Sequence, residues 1–151
     1  MTDATDRRIR GADDLTGVRF GDSGLVPVVA QDARSGDVLM VAWANRDALA
    51  RSLAEGTMYF WSRSKDRLWK KGETSGNTLA LVSLHADCDG DTLLALVNPA
   101  GPACHTGETT CFGAGAAPNA TGAAPAARSA RSDQASTVAA LAALIRERNE
   151  K

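Results

Sequence analysis

Between Leu25 and Pro99 the chain consists of short apolar runs separated by turn residues, and only one stretch has a helical period. "LVPVVAQD" and "VLMVAWAN" flank "ARSGD", which reads as a β-hairpin with a loop of several residues. "TMYFWS" is aromatic and suits a strand. "RSKDR" then turns the chain, "LWKK" extends it again and "GETSGN" forms another loop. "TLALVSLHAD" and "TLLALVNP" supply two further strands. The helical exception is "RDALARSLAE". Asn45 is placed to cap it, Asp47 suits the N-terminal dipole, and Ala48, Leu49 and Leu53 form its apolar stripe. Gly56 is a natural stop. The sum is a single-domain α+β fold: a mostly antiparallel or mixed sheet with one central helix.

The flanks differ in composition. Residues 1–22 are charged and dotted with glycine, and are expected to form a loose lead-in. Residues 113–135 are mostly Ala, Gly, Pro and Ser, the composition of a flexible linker. Residues 136–151 place Val138, Leu141, Ala142 and Ile145 at helical spacing, which predicts an amphipathic tail helix. A length of 151 residues suits one domain with a real core. Lys and Arg total 17 against 18 Asp and Glu, a net charge of −1. That balance argues against a general nucleic-acid or membrane-surface binder. Apolar stretches such as "LVPVVA" are far too short to cross a bilayer. "MTDATDRRIRGADD" has no apolar core of a signal peptide. Three cysteines cannot all pair within one chain. The expectation is a cytoplasmic protein whose thiols are free or metal-bound.

The chemistry-bearing residues cluster in three places. Asp87-Cys88-Asp89-Gly90-Asp91 sets one thiol among three carboxylates. Cys104 and Cys111 lie in the Gly- and Thr-rich loop "GPACHTGETTCFG". No CxxC pair is present, so the usual spacing of a structural zinc site is absent. Three thiolates would leave one tetrahedral position open, as catalytic zinc requires; three unrelated buried thiols are the simpler alternative. If the strand stays extended through Asp87, period two puts the carboxylates on one face and Cys88 on the other. A hard ion such as Mg2+ would then suit the carboxylates; a solvated acidic turn is the alternative. The stretch is not an EF-hand loop, because Thr92 and Asn98 stand where Gly and Glu are required. His105, next to Cys104, is a candidate ligand or general base.

The third cluster is "FWSRSKDRLWKKGETSG". Arg63, Lys65, Arg67, Lys70 and Lys71 alternate with Ser62, Ser64, Thr74, Ser75 and Gly76. Cations, hydroxyls and glycine-rich backbone suit phosphate groups, and Trp61 and Trp69 suit stacking on a base. A solvated hairpin is the plain alternative. No Walker loop is present.

"FWSRSKDRLWKKGETSGNT", "ADCDGDTLLALV" and "GPACHTGETTCF", in this order, resemble phosphoribosyl-AMP cyclohydrolase, the enzyme of the third step of histidine biosynthesis. "GLVPVVAQDARSGDVLMVAWANRDAL" resembles the first third of the same family, so the likeness spans residues 23–112. The resemblance implies a homodimer that opens the adenine ring of phosphoribosyl-AMP at the N1–C6 bond with a zinc-activated water. It implies Zn2+ on Cys88, Cys104 and Cys111, with each zinc site shared between subunits. It also implies Mg2+ on Asp87, Asp89 and Asp91, and His105 as the proton-transfer group. Trp61, Ser62, Arg63, Ser64, Trp69, Lys70, Lys71, Thr74, Ser75 and Gly76 become candidate substrate contacts. Leu79 departs from the glutamine expected near that position, and Asn77 from a frequent histidine. "VAALAALIRERNEK" is similar to the start of the helical phosphoribosyl-ATP pyrophosphatase domain that is fused to this cyclohydrolase in some organisms. The acidic metal-binding helix of that domain is not found, so no pyrophosphatase activity is expected, and a generic amphipathic helix explains the pattern equally well. Two rival functions are a zinc purine deaminase, whose H-x-E and P-C-x-x-C signatures are absent here, and a non-catalytic zinc-stabilised binding module.

Overall fold

The computed structural model describes residues 6–113. Except for Gly113, the expected linker and the tail helix lie outside the described residues.

Five strands form a mixed sheet. They are β1 (Arg8–Ile9), β2 (Val26–Asp32), β3 (Val38–Ala44), β6 (Leu79–Ala86) and β7 (Leu93–Pro99), in the order β1-β6-β7-β2-β3. β2 and β3 form the expected hairpin, and β6 and β7 pair antiparallel. The one parallel pairing joins β7 to β2, from Val28 opposite Leu93 to Asp32 opposite Val97. β4 (Tyr59–Ser62) and β5 (Arg67–Lys70) make a separate two-stranded hairpin. Its loop turns at Asp66, whose φ of 52° is left-handed, a conformation that aspartate tolerates better than most residues.

The single α-helix among the described residues, α1, runs over Arg46–Glu55. Asn45 Oδ1 accepts the Ala48 amide at 2.9 Å, and Gly56 ends the helix at φ 73°, so local chemistry fixes both ends. α1 buries Ala48 and Leu49 completely against the core. Ser52 sits beneath the helix and bonds Ala48 O at 2.7 Å, while the Tyr59 amide donates to its Oγ at 2.8 Å. This ties the helix to β4 without leaving a buried hydroxyl unpaired.

Period two divides the sheet. Val26, Val28, Ala30, Leu93, Ala95 and Val97 face the core with Met58 and Phe60. Val29, Val41, Leu94 and Leu96 alternate with these on the opposite face, where all but Val29 are half-exposed.

The N-terminal segment differs from the loose lead-in expected of it. β1 pairs with β6, and a 3₁₀ helix spans Ala12–Gly17. Ile9, Leu15 and Val18 are buried in the common core. Three isolated apolar residues among charges give no local periodic signal, yet each finds a place once the sheet exists.

Candidate active site

The stretch between β6 and β7 is a turn, so the extended-strand picture of alternating faces does not hold. β6 ends at Ala86, and Gly90 adopts φ 77°. The turn closes through Asp87 N–H to Thr92 O at 2.9 Å and Gly90 N–H to Asp87 O at 3.2 Å. Asp87 Oδ1 accepts the amides of Asp91 and Thr92 at 3.1 and 3.3 Å. The N-terminal segment braces the turn: the Arg19 amide donates to Gly90 O at 2.7 Å, and the Ala86 amide to Arg7 O at 2.9 Å. A Cβ at position 90 would meet Gly17 O at 2.7 Å. Carboxylate oxygens of Asp87, Asp89 and Asp91 nonetheless lie within 4.8 Å of one another. The turn does what alternation was expected to do, and oxygen donors at this spacing suit a hard divalent cation.

The second set of donors follows β7. Residues 103–109 form a small loop hairpin, with Ala103 N–H to Thr109 O at 3.2 Å and Cys104 N–H to Glu108 O at 3.1 Å. At its tip, Gly107 N–H closes onto Cys104 O at 3.0 Å, with Gly107 at φ 92°. The loop is pinned to the start of β3. Thr110 Oγ1 donates to Val38 O at 2.7 Å, and the Cys111 amide to Leu39 O at 2.8 Å. This brings the Cys104 and Cys111 side chains near enough to influence each other's titration. Thr106 Oγ1 lies 3.1 Å from Cys104 Sγ. The hydrogen bonds from Thr106 hold the Cys104 thiol below its ordinary pKa. Partial desolvation, with Cys104 alongside, pushes the Cys111 thiol up. Neighbouring thiols that influence each other lose their protons as a pair, and adjacent sulfurs suit a soft ion. Cys88 is exposed in the acidic turn, before β7. Among the described residues it joins Cys104 and Cys111 in no group of three potential ligands.

An open cavity of about 730 Å³ lies between the β4–β5 hairpin, β3 and the two loops that follow β5 and β7. Trp61, Ser62, Trp69, Lys70, Lys71, Thr74 and Ser75 line it, as do Cys104 and His105. Arg63, Ser64 and Gly76, also expected at the site, do not. Arg63 instead stacks over the Trp43 ring, 4.6 Å from its centroid. The cavity also takes in Lys65 and Arg67 of the basic stretch, and it adds Trp43 and Asn77, which were not among the candidate substrate contacts. Trp43 lies in an apolar run and reads as core. Lys65 and Arg67 do stand out in the basic stretch. Arg67 is paired with Glu73 on the same wall. Asn77, the departure noted in the sequence, packs against Gly101, where a Cβ would meet its Oδ1 at 2.4 Å. Leu79 is fully buried. A glutamine there would need buried partners, so apolar packing accounts for leucine at this position.

Comparison with known proteins places this arrangement. Residues 40–113 match the family described as "Phosphoribosyl-AMP cyclohydrolase". The phosphoribosyl-AMP cyclohydrolase of Acidiphilium cryptum is 51% identical over 98 residues, which cover 65% of this chain and 84% of that protein. The chain belongs to the phosphoribosyl-AMP cyclohydrolase family. The cyclohydrolase of Rhodospirillum rubrum is 57% identical over 95 residues, covering 63% of this chain and 66% of that protein. The histidine biosynthesis bifunctional protein HisIE of Thermus thermophilus is 58% identical over 99 residues, covering 66% of this chain and 46% of that protein. The chain therefore spans about half of the bifunctional relative and two thirds of the Rhodospirillum one. The family is one of hydrolases in histidine biosynthesis. Its match runs through the cavity walls, the acidic turn and the thiol loop, and begins after β2 and the bracing N-terminal segment. No helix among the described residues is long and apolar enough to cross a membrane.

Proposed function

We propose that this protein is a phosphoribosyl-AMP cyclohydrolase, which hydrolyses the N1–C6 bond of the adenine ring in the third step of histidine biosynthesis. The observation that carries the reading is the cavity itself. It combines indole walls, a row of cations and, at its rim, a thiol beside an imidazole. Those are the groups needed to seat a base, hold phosphates and open a ring.

Trp43, Trp61 and Trp69 offer flat apolar surface to the purine. Lys65, Lys70 and Lys71, with the hydroxyls of Thr74 and Ser75, hold the phosphates. Their binding energy fixes the ring against the reacting groups. The substrate's own chemistry helps, because ribosylation at N1 leaves the purine cationic and C6 electrophilic. His105 stands exposed at the loop tip facing the cavity. There it takes the proton from the attacking water and returns it to the departing nitrogen.

Cys88, Cys104 and Cys111 are the zinc ligands in this reading, and Asp87, Asp89 and Asp91 the magnesium ligands. Held by these thiolates, a zinc ion would supply acidification of a water, an effect that brings its pKa to about 7 in carbonic anhydrase. The proximity of Cys104 to Cys111 and the cluster of the three carboxylates both support these assignments. As the family resemblance implies, the zinc set is completed by a second copy, giving a homodimer with shared zinc sites, and the place of Cys88 before β7 with the other thiols after it is in keeping with that. The half-exposed Val41, Leu94 and Leu96 on the outer sheet face suit burial in such a dimer.

Incubation with phosphoribosyl-AMP, zinc and Mg2+ tests the reaction. The expected product gains the mass of one water and loses the purine absorbance. Replacement of the amino group by oxygen would make the protein a deaminase instead. His105→Ala should keep its zinc and lose its rate; if zinc is lost with it, His105 is a ligand and the site is closed.

A further inference from the structure

We propose that Thr106 is a positioning residue for the metal-binding thiolate of Cys104, holding it through its hydroxyl. The inference rests on the assignment of Cys104 as a zinc ligand.

Thr106 Oγ1 is 3.1 Å from Cys104 Sγ, and no other bond of this hydroxyl competes among those described. The pairing is built into the loop. Cys104, His105, Thr106 and Gly107 form one turn, closed by Gly107 N–H to Cys104 O at 3.0 Å. Gly107 reaches φ 92° to make it. The Cys104 amide is tied to Glu108 O at 3.1 Å, so both the start and the end of the turn are fixed. Thr106 is β-branched, which restricts the direction its hydroxyl takes. A hydroxyl donating to an anionic sulfur makes a charge-assisted bond, stronger than one between neutral groups.

Two consequences follow at the metal. The sulfur is aimed before the ion arrives, so less ordering accompanies binding. The bonded sulfur also passes less charge to the ion, which keeps the centre a better electrophile. Groups that bond to a metal ligand in this way commonly change affinity by about 10–100-fold when removed. The same bond spans His105, so it fixes the backbone from which the imidazole projects.

The test uses the full chain and zinc alone, titrated against a chromogenic chelator, with Cys104→Ser, Thr106→Val, Thr106→Ala and Thr106→Ser in parallel. Thr106→Val and Thr106→Ala should each weaken zinc by roughly 10-fold, and Thr106→Ser should restore wild-type affinity. In cobalt-substituted protein the thiolate-to-metal charge-transfer band should move to longer wavelength in the Val and Ala variants only, because an unbonded thiolate gives up charge more easily. A packing role for Thr106 would not move that band. Wild-type affinity in Val and Ala, or equal weakening in all three Thr106 variants, overturns the proposal. If Cys104→Ser itself binds zinc like the wild type, the ligand assignment fails and the proposal falls with it.

Discussion

The two ends of β7 are assembled in contrasting ways. Before the strand, three carboxylates from five consecutive residues are gathered within 4.8 Å by one tight turn. After it, two thiols are brought together by a loop pinned to a distant strand, while the third thiol sits in the acidic turn. One proposed ligand set is gathered within a short segment, whereas the other is divided along the chain. The difference teaches that the proposed hard-cation ligands are grouped by local backbone geometry alone, while the proposed soft-metal site makes assembly part of the chemistry.

The largest effect should come from separating the thiols. Cys88→Ser and Cys104→Ser should each lose zinc and turnover when pure. Refolded together they should recover roughly a quarter of wild-type turnover, since random pairing into two-fold dimers leaves one intact site in half of them. No recovery would mean that the three thiols act within one chain, and the contrast between the ends would collapse. Next, Asp89→Asn should raise the Mg2+ needed for half-maximal turnover by more than the roughly 10-fold that loss of an outer partner costs, with zinc content unchanged. Simultaneous loss of zinc would show that the ends form one site.

Gly90→Ala should destabilise the fold by about 1–3 kcal/mol, because alanine is strained at φ 77° and its Cβ would meet Gly17 O. Calorimetry should find a lower Tm, and an unchanged one would mean that the N-terminal brace yields freely. Thr110→Val removes the bond to Val38 O and should cost about 1 kcal/mol. It should weaken zinc but leave the magnesium response alone. The smallest effect concerns the β1–β6 edge. Burial, with Arg8 beside it, holds His85 below its ordinary pKa. The unfolded chain therefore takes up this proton first as pH falls through about 6.5. The stability contributed is full above that value and is lost on further acidification. His85→Gln should flatten urea-midpoint curves between neutral pH and pH 5; an unchanged slope would assign the acid sensitivity elsewhere.

How far the sequence foretold these ends follows from the range of the forces involved. α1 was legible because Asn45 and Gly56 act within a turn of themselves. The β2–β3 hairpin was legible because its strands are neighbours in the chain. The parallel β2–β7 pairing was not, since nothing near either strand specifies a partner so far away. Nor was the burial of Ile9, Leu15 and Val18, which depends on a surface that forms elsewhere. The acidic and thiol residues stood out by type, and their family pattern singled them out. Their grouping did not follow from strand period, because Gly90 turns the chain where alternation assumed extension. Trp43 escaped notice because an indole in an apolar run looks like core until the other side of its strand is seen.

The pinning of the thiol loop reaches beyond the metal. β3 is one of the two edge strands of its sheet, and an uncovered edge strand invites another chain to add to it. Thr110 and Cys111 occupy the carbonyls of Val38 and Leu39 at its start. A change that lifts the loop also uncovers that rim. Change in residues 103–112 is therefore coupled to resistance against aggregation, and variants selected for the proposed activity alone should lose solubility first.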